Sequence, residues 1–329
     1  MYLGTQFAAR TDADYETFKQ LGVNHINGFP EIGHQNWTSS NLKEYKEKVE
    51  SYDLKLDMVQ LPLSSADLDT RAKNGEFYNI LTGKSPDRDI EIERICELIQ
   101  MCSEAEIPAV KYNLNIIGIP RTDSELGRGG AKLSTFRWDN ADKNSPETIA
   151  GNVSEDIFWE RIEYFLDKVV PVAEQNKVRL ACHPHDPYTP PGFKGVTRVL
   201  GTVEGLKKFI SIKENKFHGL NFCQGTITEM MENPGEEIFD VIRYFGKKNK
   251  IFNVHFRNIR GSKLSFTEVF PDEGSINMYE AIKVYKEVNY QYMLMPDHVP
   301  QINAKDPKMT AFAYCYGYIN ALLQTIDEI

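Results

Sequence analysis

The sequence has no apolar run of about 18 residues, the length a helix needs to cross a bilayer, and so carries no readable membrane span. Positive charge is scarce: 38 Lys and Arg against 47 Asp and Glu give a formal net charge of −9. That balance argues against nucleic acid and anionic membrane surfaces as partners, since both need basic patches. It does not argue against a small anionic substrate, which feels the local field of its site rather than the net charge. The first residues, Met1 to Phe7, lack the basic and apolar regions of a signal peptide. Five cysteines, an odd number and widely spread, do not read as a disulfide framework. Both absences predict a cytoplasmic protein. Internal repeats and low-complexity segments are also lacking.

What is present is a long alternation of short apolar runs and amphipathic stretches. With 329 residues and 41% hydrophobic content, the chain is large enough for one α/β barrel with loop insertions. Strand-like runs begin at Tyr2, His25, Leu54, Ala109, Val178, His218, Ile251 and Tyr292, with helical patterns between them. Asp87 to Glu104 shows the clearest helical stripe, and Ser154 is placed to cap a helix running to Glu174. The fold class is therefore α/β, a (β/α)8 TIM barrel forming a single domain over residues 1–329. After the fourth strand, Gly118 to Gly151 shows no periodicity, and this long loop is expected to be a mobile lid on the active-site face.

Four consecutive strands end in metal-type ligands: His183, Cys223, His255 and Asp297, spaced 40, 32 and 42 residues apart. Each spacing is about one strand–helix unit, and in a barrel the C-terminal strand ends converge. Two imidazoles, a thiolate and a carboxylate suit a divalent cation. Ligand softness favours zinc, with iron, cobalt or manganese also open. His298 follows Asp297 and is a candidate general acid/base beside a metal. Arg121, Arg198 and Arg257 lie in or beside strand-end loops, where a guanidinium fork suits a carboxylate. Lys111, Tyr112 and Asn113 on the fourth strand are further candidates for contact with a substrate. His185 and Asp186 read as supporting groups or loop caps.

The blocks Cys182-His183-Pro184, Asn221-Phe222-Cys223-Gln224-Gly225, His255-Phe256-Arg257-Asn258 and Pro296-Asp297-His298, taken in order, resemble the mannonate dehydratases, metal-dependent enzymes among the xylose-isomerase-like barrels. The resemblance runs from about Lys111 onward and includes Tyr112-Asn113 and Arg121-Thr122. It implies a metal, manganese before cobalt, iron or zinc, on His183, Cys223, His255 and Asp297. It also implies a catalytic His298 and the dehydration of D-mannonate to 2-keto-3-deoxygluconate. Arg257 is expected to hold substrate oxygens, with Asn113, Arg121 and Arg198 as further substrate-binding residues. The implied partner is a small sugar acid, and a homo-oligomer stays open. Where the family carries a Pro-Gly-Tyr block with a catalytic tyrosine, this chain reads Asp306-Pro307-Lys308-Met309-Thr310, and the nearest tyrosine is Tyr314. Two other readings fit the same barrel: a metal-dependent aldose–ketose isomerase or epimerase, and a non-catalytic metal- or sugar-binding protein.

Overall fold

A computed structural model of the chain describes residues 1–327. Eight parallel strands close into a barrel: β1 (Tyr2–Thr5), β2 (His25–Gly28), β3 (Lys55–Gln60), β4 (Ala109–Asn113), β7 (Arg179–His183), β8 (His218–Cys223), β9 (Ile251–His255) and β12 (Met293–Met295). The order around the ring is β1-β12-β9-β8-β7-β4-β3-β2, which is the (β/α)8 arrangement expected. Helices cover the outside, among them Asp87–Glu104, Glu155–Asn176, Pro234–Lys247 and Pro307–Asp327. Ser154 does cap its helix, accepting from the Ile157 backbone N–H. Among the described residues, no helix is long and apolar enough to cross a membrane.

Alternation along each strand decides what fills the barrel, because residues two apart share a face. Ala109 on β4, Ala181 on β7, and Met293 and Met295 on β12 join Met58 and Phe252 in a small buried cluster. Two residues beyond these on the same face come Lys111, His183 and Asp297. The apolar cluster therefore closes the barrel below, and the polar side chains open at the C-terminal end of the strands, where such barrels carry their sites.

The stretch 118–151 differs from the expected irregular loop. It contains a hairpin of β5 (Thr122–Leu126) and β6 (Lys132–Arg137), turned through Gly129 and Gly130, both with positive φ. A second hairpin, β10 (Asn258–Ser262) and β11 (Ser265–Val269), rises just beyond β9. The two join edge to edge as one antiparallel sheet, β10-β11-β6-β5, through the pairs Ser265↔Arg137, Phe266↔Phe136 and Thr267↔Thr135. Phe136 and Phe266 are fully buried with ring centroids 5.9 Å apart. The segment is thus part of a sheet with its own packed seam.

Candidate metal centre and its charged surround

One ligand atom from each of His183, Cys223, His255 and Asp297 lies within 4.8 Å of every other. Four strand ends spread over 115 residues are thus brought to a single point by barrel closure. All four side chains are buried or nearly so. The Nδ1 of His183 lies 2.7 Å from the Pro184 carbonyl oxygen and must donate its proton there, which leaves the Nε2 lone pair free. Burial, then the charge of Lys111, pushes this imidazole down to about 4, so it stays neutral, as a ligand must be. His255 Nδ1 stands 3.1 Å from Asp297 Oδ2, and Gln6 donates from its amide to Asp297 Oδ1.

Burial alone would raise the Cys223 thiol, but Arg257 and His255 outweigh it and leave the thiol below its ordinary value. The backbone N–H and hydroxyl of Thr226 also point at the sulfur, at 3.5 and 3.1 Å. Asp297 follows the same logic. Burial raises its carboxyl, while His255, His298 and Arg257 hold it well below the usual carboxylate range. Two imidazoles, a thiol disposed to ionise and an ionised carboxylate fit a divalent cation. These four residues could hold one.

Beside this group lies a second, denser set of charges. Arg257 reaches Asp186 and Glu229, each at 2.8 Å, and its Nε lies 3.5 Å from Asp297. Gly225 makes room for it, since a Cβ there would fall 2.5 Å from the Arg257 side chain. Arg121 binds Asp186 at 2.6 Å and also pairs with Glu268. Arg198 is spent on backbone carbonyls, those of Asp186, Pro187 and Gly118. The terminal guanidinium nitrogens of all three arginines are engaged within the protein, and none of the three lines the cavity over the metal-type group. This departs from the expectation that they meet substrate. Their buried partners, Asp186 and Glu229 on the loops after β7 and β8 and Glu268 on β11, could not be assigned to them from spacing.

His298 does face the cavity. It is 34% exposed, with Nδ1 2.9 Å from Glu268 Oε2 and Nε2 3.9 Å from Asp297 Oδ2. Burial works against its imidazolium, but Glu268 and Asp297 together raise it to about 10. Glu268 in turn is drawn down to about 2, burial being outweighed by His298, Arg257 and Arg121. Asn113 lines the same cavity, while its amide donates to the Leu63 carbonyl. Tyr314 lies elsewhere: it is 41% exposed and packs on Phe270 under Arg128. It sits about two turns along the last helix and does not line the cavity.

The cavity lined by His183, His255 and Asp297 has a volume of about 230 Å³, with Gln6, Gln60, Ser64 and Lys111 also among its walls. A larger recess of about 710 Å³ adjoins it, sharing Gln6, Asp297 and His298 and bounded by Lys308 and Phe312. Gln6, Gln60, Ser64, Glu268 and Lys308 went unnoticed in the sequence. The first three sit at or just past strand ends, and that position is the one signal that could have found them.

A family model for D-mannonate dehydratase (UxuA) matches residues 147–328, more than half of the chain. The mannonate dehydratase of Thermotoga petrophila is 28% identical over 297 residues, covering 80% of this chain and 78% of that protein. The crystal structure of mannonate dehydratase from Streptococcus suis serotype 2 superposes with a TM-score of 0.83 at 25% identity, over 99% of this chain and 93% of that one. A xylose isomerase domain protein from Planctomyces limnophilus shares the fold alone, with a TM-score of 0.63 at 13% identity, over 99% of this chain and 98% of that one.

Proposed function

The chain belongs to the D-mannonate dehydratase family, whose members are hydro-lyases, and we propose that it removes water from D-mannonate to give 2-keto-3-deoxygluconate. The proposal includes a divalent metal, manganese by preference, on His183, Cys223, His255 and Asp297. The observation that carries it is the meeting of these four donors within 4.8 Å, beside a cavity onto which His298 opens. A cation bound there would supply electrophilic assistance at the carboxylate end of the substrate, where the C2 proton is otherwise very weakly acidic.

The protein's own groups supply the rest. Asp297 is fixed from both sides, by Gln6 on Oδ1 and His255 on Oδ2. Arg257 holds Asp186 and stands beside Asp297, so its part is to position ligands rather than to touch substrate. His298 is oriented by Glu268 through Nδ1, which leaves Nε2 toward the cavity to pass a proton to the departing C3 hydroxyl. In the overall change the C2 proton passes to a base and the electron pair of the C2–H bond forms the C2–C3 double bond, while the C3–O bond breaks and the hydroxyl leaves as water with the proton from His298. The resulting enol then takes up a proton at C3, loses its O–H proton and becomes the 2-keto acid.

The test incubates the metal-loaded enzyme with D-mannonate and measures 2-keto-3-deoxygluconate. Formation of the keto-deoxy acid is the expected result. Interconversion of an aldose with its ketose, with no keto-deoxy acid from mannonate or its epimers, would replace this reading with an isomerase.

A further inference from the structure

We infer that Lys111, and none of the arginines, receives the carboxylate of the substrate, and that this lysine sets the preference for sugar acids over neutral sugars. The inference rests on the sugar-acid reading given above. Its starting point is where positive charge remains uncommitted at the cavity. Arg121 and Arg257 are ion-paired with Asp186, Glu229 and Glu268, while Arg198 gives its donors to three carbonyl oxygens, and none of the three lines the cavity. His298 is matched by Glu268.

Lys111 is different. It is the third residue of β4, on the face that points into the barrel, and is 7% exposed. It lines the cavity together with His183, His255, Asp297 and His298. Its Nζ donates to Gln6 Oε1 at 2.6 Å. Among the described residues it has no further hydrogen-bond acceptor and no carboxylate within ion-pair distance. An ammonium carries three donors, and a buried one satisfied by a single neutral amide is costly unless an anion reaches it.

Gln6 explains why the charge has been left open. The same amide donates through its nitrogen to Asp297 Oδ1 and accepts from Lys111 through its oxygen. It therefore bridges the ammonium and the Asp297 carboxylate, which form no ion pair with each other. The charges then balance in a particular way. A divalent cation held there would be offset by a Cys223 thiolate and the Asp297 carboxylate, which would leave the Lys111 ammonium without a counter-charge. A ligand with one carboxylate completes the site, whereas a neutral sugar of the same shape leaves the ammonium unpaired. Discrimination of this kind comes from the penalty on the wrong ligand as much as from the gain on the right one.

The experiment measures binding, by calorimetric titration of the metal-loaded full chain with D-mannonate and with D-mannitol, its uncharged counterpart. Wild type, Lys111→Met and Lys111→Arg are compared, with metal content and thermal midpoint recorded for each. Wild type is expected to bind mannonate more tightly than mannitol. Lys111→Met should lose affinity for mannonate on the order of 10²-fold, as when one partner of a buried charge pair is removed, with mannitol binding unchanged. Lys111→Arg should keep part of the preference. In turnover, Lys111→Met should raise KM more than it lowers kcat. If Lys111→Met fails to fold, Lys111→Gln gives the same reading with a polar side chain. A neutral variant that keeps the full preference for the acid overturns the role of Lys111 and leaves the dehydratase reading standing. A wild type that binds the two ligands alike overturns the sugar-acid reading, and the inference with it.

Discussion

Glu268 holds His298: its Oε2 lies 2.9 Å from His298 Nδ1, although the two residues arrive from different structures, a hairpin strand and the end of β12. Arg121, just before the other hairpin, grips the same carboxylate. The imidazole facing the cavity is therefore set by the sheet over the barrel mouth.

This pairing can be read in kinetics. His298→Asn should lower kcat by about 10²–10⁴, the usual cost of losing one general acid/base group, with metal content near normal. Glu268→Gln should lower kcat by a smaller factor, on the order of 10-fold. Because Glu268 acts through His298, the double variant should be no slower than His298→Asn alone. Fully additive losses would mean that Glu268 serves some other step.

Cys223→Ser tests the sulfur as a ligand. The expected result is metal affinity reduced on the order of 10-fold or more, with the thermal midpoint of the metal-free protein unchanged, since the barrel cluster below is apolar and independent of the site. Elemental analysis of both proteins after dialysis reads this directly. Equal metal content would remove thiolate ligation.

Protease cleavage should separate the two parts of the segment over the barrel mouth. Residues 122–137 are tied into the four-stranded sheet, whereas 139–149 are largely exposed and contain no strand. Early cuts are expected in the second part, mapped by mass spectrometry. First cuts within β6 would show that the seam with β11 is not held in solution.

His218 should give acid sensitivity outside the site. It is fully buried, its Nε2 donating to the Phe209 carbonyl at 3.0 Å. Burial, then Lys250, pushes it down to about 4. Above about pH 6.5 it is neutral in both states. Below that the unfolded chain binds a proton that the folded chain refuses, so stability falls by about 1.4 kcal/mol per pH unit until about pH 4. Urea unfolding of His218→Gln should show a shallower pH slope in this window, by about one proton. Identical slopes would clear His218 of any part in it.

Much of this was legible in the sequence. The strands 218–223 and 251–255 and the helix 87–104 were read to the residue, because each combines a bounded apolar pattern with a clear period. The four ligand-type residues were legible for a related reason: a barrel turns regular spacing along the chain into convergence in space. The hairpins were not. In β5, Thr122-Asp123-Ser124-Glu125-Leu126 is mostly exposed and has no apolar alternation to betray a strand. The fate of the arginines was hidden too, since a guanidinium that suits a substrate carboxylate suits a protein carboxylate equally well. Only the fold decides that Asp186, Glu229 and Glu268 reach them first. Gln6 and Lys111, 105 residues apart, show the same limit for a single hydrogen bond.

The seam between the hairpins carries a consequence for how the molecule opens. Thr135 and Thr267 meet across 132 residues of chain, and three backbone pairs join the two hairpins, with Arg121–Glu268 and Thr267–Glu125 contacts beside them. Loss of that short zipper leaves every hydrogen bond of the eight-stranded ring intact. The two-hairpin sheet is thus expected to open as a unit of its own, at a free energy below that of global unfolding. In native-state hydrogen exchange, the amides of β6 and β11 along the seam would be released by such partial opening, while those of β7 and β8 waited for the whole barrel. Substitution at Phe136 or Phe266, whose buried rings meet in that seam, is then expected to loosen the sheet without touching a single donor atom of the metal-type group.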